Sequence, residues 1–110
     1  MAYFRKVGQL WTDSRTLLAS VAAQLMERDQ VSVGDKKVPV RRVGRARLRS
    51  VQFRMNGRLL EAIEQNPEKP SRWGKLAREK HQVVQFLDPE THKYVAVSVD
   101  GKVQEYGKSS

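Results

Sequence analysis

The dipeptide Asn56-Gly57 constrains the fold more than any other feature of this 110-residue chain. Asn and Gly both accept positive φ angles, as the tight turn of a two-residue β-hairpin requires. Such a turn places Phe53 opposite Leu60. It also places Val51 opposite Ala62, so that the apolar side chains share one face of the hairpin. The sequence therefore predicts two antiparallel strands in a defined register.

Other segments alternate between apolar and polar residues in the same way. Residues 31–33 and 38–40 predict two short strands around the turn at Gly34. Pro39 cannot donate a hydrogen bond and confines its strand to an edge or a strand end. Further strands are predicted at residues 83–87, 94–99 and 102–106.

Two helices are predicted. Apolar residues at three- to four-residue spacing follow the capping residues 12–14 and predict an amphipathic helix that ends near Arg28 and covers the core. A shorter helix near residues 71–79 follows the loop at 66–70, with Ser71 as its N-cap. The apolar stripe of the first helix consists of Leu17, Leu18, Val21, Ala22, Leu25 and Met26.

These elements predict one α+β domain over residues 1–110, which matches the common size of a unit with one hydrophobic core. An N-terminal segment and helix occupy residues 1–29, and residues 107–110 form a tail. Residues 30–106 form a curved antiparallel sheet with the short helix packed on it. A small SH3-like barrel is one form that this sheet can take.

Several function classes conflict with the composition. The chain has no cysteine, which excludes disulfides and thiolate chemistry. His81 and His92 have no neighbouring ligands that would complete a metal set, and the carboxylates are scattered along the chain. We expect no enzymatic activity, no cofactor and no metal. The longest apolar stretch, residues 16–26, is shorter than the roughly 20 residues of a membrane span, so we expect a cytoplasmic protein, with association with the nucleoid left open.

The net charge of +9 originates in one quarter of the chain. Residues 36–60, which we call the basic segment, contain no acidic residue. The rest of the chain carries twelve basic and twelve acidic residues and balances to zero. Clustered basic residues are the electrostatic signature of nucleic-acid binding. The basic residues of the segment are Lys36, Lys37, Arg41, Arg42, Arg45, Arg47, Arg49, Arg54 and Arg58.

Arginine dominates the basic segment, and its planar guanidinium suits phosphate. Arg45, Arg47 and Arg49 alternate with Ala46 and Leu48, which predicts a strand with three guanidinium groups on one face, about 6.6 Å apart. An uninterrupted strand would place Val51 and Phe53 on that same face. We therefore expect a bulge or break near Ser50.

The sequence thus predicts a DNA- or RNA-binding protein of low sequence specificity. Arg41, Arg42, Arg45, Arg47 and Arg49 would hold phosphates, with Lys36, Lys37, Arg54 and Arg58 at the margins. The alternative is a small protein-interaction subunit whose basic segment binds an acidic protein partner. A membrane partner is not expected, and the oligomeric state is open.

Trp73 has two interpretations. It shares a helix face with Leu76 and Ala77, which favours a core position, and it is also placed to contact a base.

Three motifs resemble the small chromatin proteins of Crenarchaea, over residues 51–99. They are Val51-Gln-Phe53 with its Gly57 hairpin, Trp73 followed by Leu76-Ala77, and the segment from Phe86 to Tyr94 with Asp88-Pro-Glu-Thr. The resemblance implies an SH3-like barrel that binds DNA in the minor groove, with Trp73 at the DNA surface and Leu76 as a wedge residue. It covers less than half of the chain.

Overall fold

The computed structural model describes residues 14–106. Helix α1, Ser14–Glu27, confirms the predicted amphipathic helix. Its stripe of Leu18, Val21, Ala22 and Leu25 is buried, as expected for a helix that covers a core. The predicted capping residues Thr12 and Asp13 lie outside the described residues.

Within residues 14–106, eight antiparallel strands and a second helix follow α1. Strands β3 to β8 form one six-stranded sheet in chain order, and β1 and β2 form a separate hairpin. The bounds are β1 Gln30–Val33, β2 Lys36–Pro39, β3 Arg41–Val43, β4 Leu48–Met55, β5 Arg58–Glu64, α2 Arg72–Arg78, β6 Val83–Asp88, β7 Lys93–Val99 and β8 Lys102–Glu105. The α+β prediction is confirmed. The described sheet is not closed, because β3 and β8 are its two edges, and the SH3-like barrel is not confirmed.

The core lies between α1 and one face of the sheet, which we call the helix face. Val51 and Phe53 of β4, Leu60 of β5 and Phe86 of β6 are buried there with the α1 stripe. The rings of Phe53 and Phe86 meet edge to face, with centroids 6.2 Å apart. Val31 of β1 is buried in the same cluster, so the β1–β2 hairpin packs against the core.

The opposite surface of the six-stranded sheet is the open face. The residues that alternate with those of the helix face along each strand point to it, among them Ile63 and its cross-strand partner Gln85. Helix α2 lies on this side, and Ile63 and Gln85 line a groove together with Trp73. The Ser71 hydroxyl caps α2 by accepting a hydrogen bond from the Gly74 N–H at 3.1 Å, which confirms the predicted N-cap.

The Asn56-Gly57 hairpin is confirmed in the predicted register. Phe53 pairs with Leu60 and Val51 with Ala62. Asn56 and Gly57 adopt φ angles of 55° and 75°, as a turn with two left-handed residues requires.

The strand predicted across residues 45–49 is wrong for residues 45–47, whereas residues 48 and 49 begin β4. Residues 44–47 form a turn between β3 and β4, with positive φ at Gly44 and Arg47. Strand β4 then passes through Ser50 without the predicted break. Ser50 is buried, and its hydroxyl donates a hydrogen bond to Glu61 Oε2 at 2.6 Å. Arg49 consequently lies on the helix face with Val51, while Arg45 and Arg47 belong to the turn.

A β-bulge interrupts the pairing of β6 with β7. Phe86 pairs with Ala96, and the next residue, Leu87, pairs with Tyr94. Val95 is therefore the extra residue of the bulge, and residues before it change face. Tyr94 points to the open face, on the side of its partner Leu87.

No helix among the described residues is long and apolar enough to cross a membrane.

Candidate nucleic-acid interface

Three exposed arginines gather at the turn between β3 and β4. Arg42 ends up beside Arg45 and Arg47 because the hairpin folds the chain back on itself, and Arg42 Nη1 donates a hydrogen bond to the carbonyl of Arg47 at 3.1 Å. All three side chains line one groove of about 550 Å³. We call Arg42 and residues 44–47 the arginine turn.

The arginine turn shares its groove with two acidic residues, Glu64 and Glu68. Glu64 is already engaged, because its Oε1 accepts a hydrogen bond from the backbone N–H of Arg49 at 2.9 Å. Among residues 14–106, no carboxylate lies within ion-pair distance of Arg42, Arg45 or Arg47. Their guanidinium groups are thus available to an anion from outside the described fold.

Arg49 has a different role from the one predicted for it. Its Nε donates a hydrogen bond to the carbonyl of Leu25 at 2.6 Å, and its Nη2 donates to the carbonyl of Arg28. These carbonyls belong to the C-terminal end of α1, where backbone acceptors lack helical partners and carry partial negative charge. Arg49 therefore fastens α1 to β4 and leaves the candidate site.

Arg58 is also paired internally. Its Nη2 lies 3.0 Å from Asp88 Oδ2, and its Nε lies 3.2 Å from the same oxygen. The Asp88 side chain is only 11% exposed, and Asp88 Oδ1 accepts a hydrogen bond from the Glu90 N–H. The Arg58 hydrogen bond, and then that of Glu90, hold the pKa of Asp88 below its ordinary value. Asp88 thus stays ionised and offsets the charge of Arg58.

The remaining basic residues of the segment are exposed but lie elsewhere. Lys36 and Arg54 line a separate groove of about 680 Å³ at the other end of β4. The eight residues of β4 span about 23 Å at the usual rise per residue, which separates this end from the arginine turn. Lys37 and Arg41 are exposed on β2 and β3. The basic segment therefore forms two clusters rather than one continuous strip.

Trp73 is half-buried on α2. The guanidinium carbon of Arg72 lies 4.9 Å from the centroid of the Trp73 ring, a cation–π contact. Trp73 also lines a groove of about 290 Å³ with Gln85 and Tyr94 on the open face. It thus forms one wall of that groove.

Tyr94 belongs to the same groove and was not predicted as a site residue. It is 48% exposed, the most exposed large hydrophobic residue among those described. Strict alternation from the buried Ala96 would direct Tyr94 toward the core. The extra residue Val95 reverses that direction. No pattern in the local sequence indicates a bulge there.

Comparison of the chain with protein-family models, with curated proteins and with solved structures gives no match.

Proposed function

We propose that the chain is a non-enzymatic nucleic-acid-binding protein of low sequence specificity. The observation that supports this proposal most is the arginine turn, where Arg42, Arg45 and Arg47 are exposed around one groove and have no carboxylate partner among residues 14–106. Unpaired like charges held this close repel one another, and a string of phosphates relieves that repulsion.

The chemistry of the turn suits the phosphate backbone rather than base edges. Arginine forks bind phosphate oxygens in a bidentate manner, and such contacts position a nucleic acid without reading its sequence. Lys36, Lys37, Arg41 and Arg54 are exposed outside the arginine turn and add positive charge elsewhere on the surface. Arg49 and Arg58 contribute to the fold instead, because their guanidinium groups already have partners.

A pair of charge-matched variants tests the proposal. The double variant Arg45→Gln/Arg47→Gln removes two positive charges from the arginine turn. The control Lys75→Gln/Lys80→Gln removes two exposed charges from α2 and the residues after it. Binding of a labelled oligonucleotide is followed by fluorescence anisotropy between about 50 and 200 mM NaCl, where phosphate contacts are strongly salt-dependent.

We expect the wild-type affinity to fall steeply with salt, by about 0.9 decades per decade of salt for each phosphate contacted on a duplex. The arginine variant should lower that slope by about 1.8 if each side chain neutralises one phosphate, and the lysine control should change it less. Wild-type binding that ignores salt, or equal effects of the two variants, would contradict the proposal. A protein complex that survives nuclease treatment and competes with nucleic acid would favour an acidic protein partner instead.

A further inference from the structure

Three adjoining grooves cross the open face of the sheet. The groove of the arginine turn shares Leu48 with the groove that holds Trp73 and Tyr94. That second groove shares Trp73 with a third, of about 430 Å³, lined by Arg72 and Lys102. Six strands at about 4.8 Å spacing make the sheet about 24 Å wide, so the path has the length of a short segment of extended polymer.

The two ends of this path are basic and its middle is aromatic. Arg45 and Arg47 lie at one end, and Arg72 and Lys102 lie at the other. Acidic residues also line the end grooves, Glu64 and Glu68 at the first and Asp100 at the second, and basic side chains outnumber them at both ends. Tyr94 lies between the two ends, on β7, where a bulge shifts the register with β6. Bulges often turn a side chain toward a functional surface, and here the bulge places an aromatic ring where alternation would have buried it.

Amide side chains also line the path. Gln85 lines the groove of Tyr94, and Gln104 lines the groove of Lys102. Amides both donate and accept hydrogen bonds, so they suit the mixed edges of nucleobases without selecting one of them.

We propose that this path binds single-stranded nucleic acid, with a base stacked on Tyr94 and phosphates held at the two basic ends. The inference rests on the proposed function and specifies its ligand. A duplex hides the faces of its bases inside the helical stack, so only an unpaired base can present its ring to Tyr94. Trp73 serves as a wall rather than a platform, because the Arg72 guanidinium already lies over its ring.

The test compares ring chemistry at one position. Tyr94→Ala removes the ring, Tyr94→Leu keeps apolar volume without a π face, and Tyr94→Phe keeps the ring. Each variant is titrated with a single-stranded oligonucleotide of about 12 nucleotides, within the site sizes of such proteins. The same titrations are made with a duplex carrying the same number of phosphates and with an abasic oligomer of equal length. Circular dichroism verifies that each variant is folded.

We expect wild type and Tyr94→Phe to bind the single strand more tightly than the duplex or the abasic oligomer. Tyr94→Ala should lose about 5- to 150-fold in affinity for the single strand, the range measured when one stacked base loses its platform, and Tyr94→Leu should behave similarly. Neither variant should change binding of the abasic oligomer, because the phosphate contacts remain.

Two negative results have different meanings. If Tyr94→Ala binds the single strand as wild type does, or if wild type prefers the duplex, the inference is overturned while the proposed function stands. If wild type binds none of the three oligomers at low salt, both the proposed function and the inference are overturned.

Discussion

Arg49 shows how a single arginine of the basic segment can serve the fold. Its guanidinium donates to the carbonyl of Leu25 in the last turn of α1 and to that of Arg28 just after the helix. Arg49→Ala therefore removes two hydrogen bonds, one of which is partly buried. We expect this substitution to lower the free energy of unfolding by about 1.5–3 kcal/mol, the usual contribution of hydrogen bonds to a charged group. Urea denaturation measures the effect.

The control for Arg49 is Arg47→Ala, two residues earlier and exposed in the turn. We expect this change to alter stability by no more than about 0.5 kcal/mol, since it removes no internal contact of the Arg47 side chain. Arg49→Lys should lose much of the stability as well, because an ammonium cannot reproduce the guanidinium fork. An Arg49→Ala protein of wild-type stability that binds nucleic acid weakly would reverse this assignment.

We expect Asp88 to make the free energy of unfolding sensitive to acid. Its pKa in the folded protein lies below the ordinary value of 3.8, chiefly because Arg58 donates to it. Between the folded-state and unfolded-state pKa values of Asp88, the unfolded chain therefore binds more protons than the folded protein. The stabilisation that ionised Asp88 contributes is complete above about pH 4 and is lost as the pH falls through the folded-state pKa. Asp88→Asn should lower stability at neutral pH and flatten its decline in acid.

Denaturation midpoints measured from neutral to acid pH test this dependence, and a double-mutant cycle with Arg58→Gln identifies the pair as its source. Arg58→Gln should remove the larger part of the acid-dependent contribution that Asp88→Asn removes, because the Glu90 N–H still donates to Asp88 and keeps its pKa lowered. The double variant should behave like Asp88→Asn alone. Asp100 retains its own acid dependence in all of them, because His81 Nδ1 lies 2.6 Å from Asp100 Oδ2 and lowers the pKa of that carboxyl. An Asp88→Asn profile parallel to that of the wild type would contradict the prediction.

At the scale of elements, α2 depends on one glycine. A methyl group built on Gly74 would lie 2.1 Å from the carbonyl oxygen of Lys69, a backbone atom of the preceding loop. The same loop is held from the other side by Arg78, whose Nη1 donates to the carbonyls of Pro67 and Lys69 at 2.6 and 2.8 Å. The loop therefore has little freedom to move away.

Gly74→Ala should consequently destabilise the protein. Alanine would favour a helix by about 1 kcal/mol elsewhere, but forcing an extra carbon into a packed site costs about 1–3 kcal/mol. The measurement is thermal or urea unfolding, with the exposed neighbour Lys75→Ala as the control. A Gly74→Ala protein more stable than wild type would contradict this prediction, because it would show that the loop containing Lys69 moves away at little cost.

Elements with local signals were predictable from the sequence, and elements fixed by distant contacts were not. Asn56-Gly57 carries its turn geometry in two residues, so the hairpin and its register could be read directly. Arg45 to Arg49 also alternated, but two left-handed residues at Gly44 and Arg47 make a turn there. The partner of Arg49 lies 24 residues earlier in the chain, a separation that no local pattern reveals.

The bulge in β7 limits the prediction of the candidate site in the same way. Tyr94 lies on the open face because one residue of β7, Val95, is left unpaired against β6. That unpaired residue follows from the pairing of the two strands next to Phe86. The basic half of the site could be predicted because charge is visible in composition. The aromatic half could not, because a one-residue change of register reverses every side chain beyond it.

For the molecule as a whole, the uneven charge predicts opposite effects of salt on stability and on binding. The net charge of +9 equals the charge of the basic segment, and most of its side chains have no internal partner among residues 14–106. Added salt screens their mutual repulsion over the Debye length of about 10 Å at 0.1 M, which should stabilise the free protein. The same salt weakens phosphate contacts.

Urea unfolding at about 10 and 150 mM NaCl, between which the Debye length falls from about 30 to about 8 Å, tests the first effect. We expect the midpoint to rise with salt in the wild type. It should rise less in Arg45→Gln/Arg47→Gln, which should already be the more stable protein at low salt because two repelling charges are gone. Attractive contacts such as Arg58 with Asp88 are screened as well, so the sign of the salt effect reports which kind of interaction prevails. A midpoint that falls with salt to the same extent in both proteins would contradict the prediction, because attractive contacts would then prevail and repulsion within the arginine turn would contribute little to stability.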